Sequence, residues 1–168
     1  MPDPAIERAS ARAGGRPALA KIIGAIAIVG AITVPLVGYV IVPALVRSTL
    51  VEDLPLATGP SLQTLGQGEL VRINAADYGS GNVRIVKVGD DRLLRFEGVD
   101  IAGAPDMYVY LSDQVDGRPG AFVDLGKLKA TNGSFNYPIP VSVDLATIRS
   151  VVIWCRQFSV TVTYATLG

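Results

Sequence analysis

The second half of this chain is built from short apolar runs of period two. In 93–97, Leu94 and Phe96 alternate with Arg95 and Glu97. In 107–112, Met107, Val109 and Leu111 fall on one side, with Tyr108 and Tyr110 on the other. Successive side chains of a strand point to opposite faces, so each run predicts a strand with one buried face. The run 83–88 is rich in β-branched residues and is followed by Gly89-Asp90-Asp91, which predicts a hairpin into 93–97. Further strands are predicted at 122–128, 151–155 and 159–164. Pro138 and Pro140 interrupt any strand near Ile139 and favour an edge or a loop there. No long helical period occurs in this region. Short strands at roughly ten-residue spacing predict an all-β fold, a small antiparallel β-sandwich or barrel over 67–168.

The first half has another texture. Residues 22–46 form an uncharged stretch of mostly isoleucine, valine, alanine, leucine and glycine, interrupted by Pro35 and Pro43. About 20 apolar residues cover a bilayer as a helix, and transmembrane helices tolerate proline. The stretch therefore predicts a single transmembrane helix. Arg8, Arg12, Arg16 and Lys21 precede it, whereas Arg47 is followed by Glu52 and Asp53 before the next basic residue, Arg72. Positive charge stays inside, so the N-terminus is expected in the cytoplasm and the β domain outside it, on a single-pass cell-membrane anchor. The hydrophobic stretch is longer than that of a cleaved signal peptide. Residues 1–21 are expected to be a disordered cytoplasmic tail, and 47–66, with Pro55, Gly59, Pro60 and Gly66, a linker.

Composition narrows the chemistry. Lys plus Arg and Asp plus Glu number 15 each, so no basic excess points to nucleic acid. There is no histidine and only one cysteine, Cys155. These counts exclude ordinary Ser-His-Asp and Cys-His hydrolases and structural zinc. The residues support no hydrolase or zinc site, a stand-alone enzyme is not the expectation, and no cofactor is required by them. Cys155 lies in a strand-like run, sharing a face with Val151 and Ile153 and opposite Val152 and Trp154. Two readings stay open: a redox thiol or thiolate ligand, and a small hydrophobe packed in a core. Arg156 points to the other face and is poorly placed to stabilise a thiolate.

Several blocks in 66–168 resemble the DM-thirteen domain family. They are Gly79-Ser80-Gly81, Leu93-Leu94-Arg95-Phe96-Glu97, and Pro105-Asp106-Met107-Tyr108-Val109-Tyr110-Leu111-Ser112. Asp124-Leu125-Gly126-Lys127-Leu128-Lys129 and Asn136-Tyr137-Pro138-Ile139-Pro140 follow in order. The most specific block is Val152-Ile153-Trp154-Cys155 with Phe158-Ser159-Val160. The resemblance implies a β-sandwich module of the kind found beside DOMON domains in Skeletor-type animal proteins and in membrane-anchored bacterial proteins. It also implies electron transfer through the cysteine, as a free thiol or as ligand to a prosthetic group, with a redox or surface protein as partner. Two departures stand out. Where many members carry a histidine before the Gly-Ser-Gly block, this chain has Ala75-Ala76-Asp77-Tyr78, and Gly-Pro-Asp is replaced by Ala104-Pro105-Asp106.

Other candidates carry less. Haem is disfavoured, because without CxxCH and histidine the axial ligands reduce to Cys155, a methionine such as Met107, or a tyrosine. Copper(I) on Cys155 and Met107 lacks the further sulfur that soft-metal sites gather. Trp154, Tyr108, Tyr110 and Tyr137 suggest an aromatic patch or ordinary sheet packing. Asp90-Asp91 and Asp113 with Asp116-Gly117 lack the spacing of a calcium loop and read as solvated turns. Gly66-x-Gly68 and Gly79-Ser80-Gly81 open no helix and are not phosphate loops. The alternative to an electron-transfer module is a non-redox binding domain with a structural buried cysteine.

Overall fold

The computed structural model describes residues 16–38, 42, 47–55 and 62–168, in two compact units divided between Ile41 and Val42. The first unit contains helix α1, Arg16–Leu36. It begins before the predicted span and takes in Lys21. It also stops ten residues short of Val46, one residue after Pro35, whose missing N–H and ring disfavour continuation. Among the described residues, no helix is long and apolar enough to cross a membrane. The transmembrane helix expected over 22–46 is thus replaced by α1 and residues 37–46, of which 39–41 and 43–46 lie outside the described residues. The tail expected at 1–21 is outside them up to residue 15 and helical from Arg16.

The second unit is a sandwich of nine strands. They are β1 Thr49–Val51, β2 Leu62–Glu69, β3 Gly79–Val88, β4 Asp91–Ile101, β5 Met107–Ser112, β6 Phe122–Lys127, β7 Asn132–Pro138, β8 Ser150–Cys155 and β9 Val160–Thr166. One sheet has the order β1-β7-β4-β3-β2 and the other β6-β5-β8-β9. The predicted hairpin is β3–β4, with Val88 opposite Asp91. Leu94 and Phe96 point into the core as the alternation predicts, while Arg95 and Glu97 lie on the outer face beside Arg84. Val109, Leu111, Val151, Ile153, Cys155 and Val162 meet them from the facing sheet. Along one flank the sheets are joined by backbone bonds from β9 and the C-terminus to β2 and Val71.

Two features depart from the sequence-based expectation. The stretch expected as a linker, 47–66, carries β1 and most of β2, with 56–61 outside the described residues. β1 joins β7 in parallel, so the first sheet is mixed rather than purely antiparallel. Glu52 then extends that pairing with its side chain, accepting the Asn136 N–H at 2.8 Å and the Lys129 ammonium at 3.0 Å, while Leu54 covers Val86, Val88 and Leu93. The prolines end β7 as expected: β1 pairs only with Asn132–Ser134, and the chain leaves the sheet as a loop at Ile139 and Pro140. Pro138 is tolerated because it is the last residue of the strand, and the Ile139 N–H bonds Arg92 O at 2.7 Å.

Candidate functional site

Cys155 is the last residue of β8, where the strand runs into the turn 156–159. Its inward face is the one predicted. It packs in the main core cluster and has no exposed surface. Across the ladder it faces Met107 of β5 and Val160 of β9. The thiol donates to the Pro105 carbonyl at 2.9 Å, so the Pro105-Asp106 segment closes over the sulfur. The Arg156 N–H donates to Asp106 O at 3.1 Å and ties the turn to the same segment. Asp106, next to Pro105, and Ser159, in the turn that follows β8, both have positive φ, 54° and 52°.

Burial pushes the Cys155 thiol up from its ordinary pKa. The N–H groups of Phe158 and Gln157 pull it down less strongly, and the charges of Asp106 and Asp77 add to the rise. In this conformation the group is a neutral thiol. Its folded pKa is raised, so the native state holds the proton more tightly than the unfolded chain. The resulting stability is present below about pH 8.5 and is lost as pH rises toward the folded pKa, at up to about 1.4 kcal/mol per unit. Tyr137, also raised by burial, adds the same sign above about pH 10. Urea midpoints measured from pH 7 to 10 should therefore fall more steeply in the wild type than in Cys155→Ala. Parallel curves would show that the thiol does not ionise on unfolding in this range.

The stretch 75–78, where the resemblance places a histidine in other members, sits at this end of the domain. Asn74 organises it by accepting the N–H groups of Ala76 and Asp77 at 2.7 and 2.8 Å. Asp77 comes close enough to raise the Cys155 pKa. Tyr78 points elsewhere: its hydroxyl bonds Arg47 at 2.7 Å, and its ring lies under Arg72 at 4.6 Å.

The four aromatic candidates do not form one patch. Tyr137 lies in the core with Phe96 and Phe135, and its hydroxyl donates to Lys127 O at 2.9 Å. Tyr108, Tyr110 and Trp154 share the outer face of the second sheet. There Tyr110 stacks on Phe122 at 4.1 Å, and Arg156 sits 3.4 Å over Tyr108 and donates to the Tyr110 hydroxyl at 2.7 Å. Arg156 also pairs with Asp124 and is directed away from the sulfur, as predicted.

Metal ligands do not gather. Among the described residues no three His, Cys, Asp or Glu side chains lie close enough to hold an ion. Asp113 accepts from Ala121 N and Gln114, and Asp116 pairs with Arg118. The sulfur is packed and its proton engaged, so the residues present do not fit a prosthetic group ligated by Cys155. The Pro105 carbonyl over the thiol was not legible in the sequence. Only the pairing of β5 with β8 brings those positions together.

A family model described as Electron transfer DM13 matches residues 73–167. No curated protein and no solved structure matches the chain.

Proposed function

The chain belongs to the Electron transfer DM13 family, and from that premise we propose that it is a membrane-tethered electron-transfer module whose redox centre is Cys155. One observation carries the assignment to this atom. The matched residues hold a single thiol, set at a strand end between two segments with non-glycine residues at positive φ. Such backbone is costly and tends to collect at functional sites. The chain's partner on this reading is a redox protein at the membrane surface.

On this reading the tether is the 22–46 stretch, which α1 covers as far as Leu36. Ile22, Ile23, Ile26, Ile28, Val29, Ile32 and Val34 are all exposed and cover about two thirds of the circumference of α1, with Gly24, Ala27 and Ala31 on the rest. A helix apolar all round needs an apolar surrounding, and lipid supplies one. On this reading the N-terminus, with Arg8, Arg12, Arg16 and Lys21, is cytoplasmic and the sandwich lies outside, in keeping with the positive-inside rule. Full-length protein should stay in the membrane fraction after an alkaline carbonate wash. Release into the supernatant would remove the tether.

Film voltammetry of the full-length chain tests the redox centre. An oxidation wave in which the Cys155 thiol gives one electron to the electrode, standing in for the redox partner, and releases its proton is the expected result, and it should disappear in Cys155→Ala. An unchanged wave in the variant, or no wave in either protein, would leave Cys155 without this role. The second reading, a non-redox binding module, is favoured by the complete burial of the thiol and its bond to Pro105 O.

A further inference from the structure

We infer that the groove on the outer face of β8 and β9 binds a planar aromatic ligand with an anionic or carbonyl oxygen at its rim, the chemistry of a quinone-type molecule. The groove measures about 570 Å³, within the range of small-molecule sites. Its floor is Trp154, Thr161 and Tyr164.

Both walls are tied to that floor. On one side the Val71 N–H donates to Tyr164 O at 3.0 Å, and the Thr163 hydroxyl donates to Val71 O at 2.7 Å. On the other, the Thr161 hydroxyl donates to Gly117 O at 2.7 Å and the Thr166 hydroxyl to Val115 O at 3.1 Å. Gly117 has φ +82°, and a Cβ there would lie 2.7 Å from the Tyr164 ring, so only glycine lets this loop rest on the floor. The groove is therefore preformed, which lowers the ordering cost of binding.

Its chemistry is selective. Ile73 and Val160, both more than 40% exposed, offer apolar surface beside the half-buried Trp154. Arg72 also lines the groove. Its guanidinium rests on the Tyr78 ring and, among the described residues, has no carboxylate within ion-pair distance. Asp116, the acidic residue of the groove, is already paired with Arg118 at 2.6 Å. An aromatic floor suits a flat ring, and a guanidinium without a counter-ion suits oxygen at that ring's edge. Val160 lines the groove and pairs with Cys155 at the end of the ladder, so the groove borders the strand end that holds the thiol, yet the site stands whether or not that thiol is redox active.

Trp154 is the chain's only tryptophan, so its fluorescence reports the site directly. Full-length protein titrated with anthraquinone-2-sulfonate should show saturable quenching. Arg72→Gln should weaken it about tenfold or more, the scale of one lost charge-assisted hydrogen bond, with Arg72→Lys intermediate. Val160→Glu, which puts a like charge beside the ligand, should also weaken it, and Cys155→Ala should leave it unchanged. Melting curves check that each variant is folded. Absence of saturable quenching, or equal quenching in folded Arg72→Gln, overturns the site. A wild-type protein with no voltammetric wave but intact quenching would remove the thiol role and leave this site standing.

Discussion

Phe96→Ala is expected to cost about 3–5 kcal/mol, the scale of a large aromatic truncated in a closed core. Phe96 has no exposed surface, stacks on Phe135 at 4.9 Å and meets the edge of Tyr137 at 5.8 Å. Removing it opens a cavity between the sheets and breaks two ring contacts, each worth roughly 0.5–1.5 kcal/mol beyond area. Thermal unfolding should shift down by roughly 10–20 °C. Phe122→Ala supplies the contrast. That ring is 47% exposed and stacks on Tyr110, so its loss should cost about 1 kcal/mol. Similar losses at the two positions would mean that Phe96 is not at the centre of the core.

The second large effect concerns the thiol. Native Cys155 should react with a thiol reagent on the order of a thousandfold more slowly than in denaturant, because modification must wait for an opening that costs several kcal/mol. Burial excludes the reagent, and the raised pKa keeps the thiolate scarce. A native rate within tenfold of the denatured one would mean that the segment over the sulfur opens freely. Cys155→Ala should itself cost about 1–2 kcal/mol as a small core truncation. Slow labelling together with a voltammetric wave would point to electron transfer without solvent access to the sulfur. Slow labelling without a wave favours the packing role.

Alternation made the sandwich legible. Leu94 and Phe96, Val109 and Leu111, and Val151, Ile153 and Cys155 all face inward as their period predicts, because a strand's pleat is local. The hairpin 83–97 was readable for the same reason, since its turn is adjacent in sequence. β2 escaped notice because Gly66 and Gly68 and its largely exposed side chains leave no apolar period. β1 has only three residues and takes its order from β7, more than eighty positions away. Within β4 the inward phase changes from Phe96 to Val99 at a bulge where Gly98 has φ +56°. A period-two reading cannot follow that slip.

Local chain chemistry settled which side chains are buried, which way Cys155 faces, and that Arg156 turns away from it. It also marked an apolar N-terminal segment, though not where its helix begins and ends. Non-local pairing settled what covers the sulfur, that Tyr137 belongs to the opposite sheet from Trp154, and how Val71, Asp116 and Tyr164 come to line one groove. The reason is geometric. Pleat and turn depend on neighbouring dihedrals, whereas strand partners depend on contacts between distant residues that leave no mark on either segment alone.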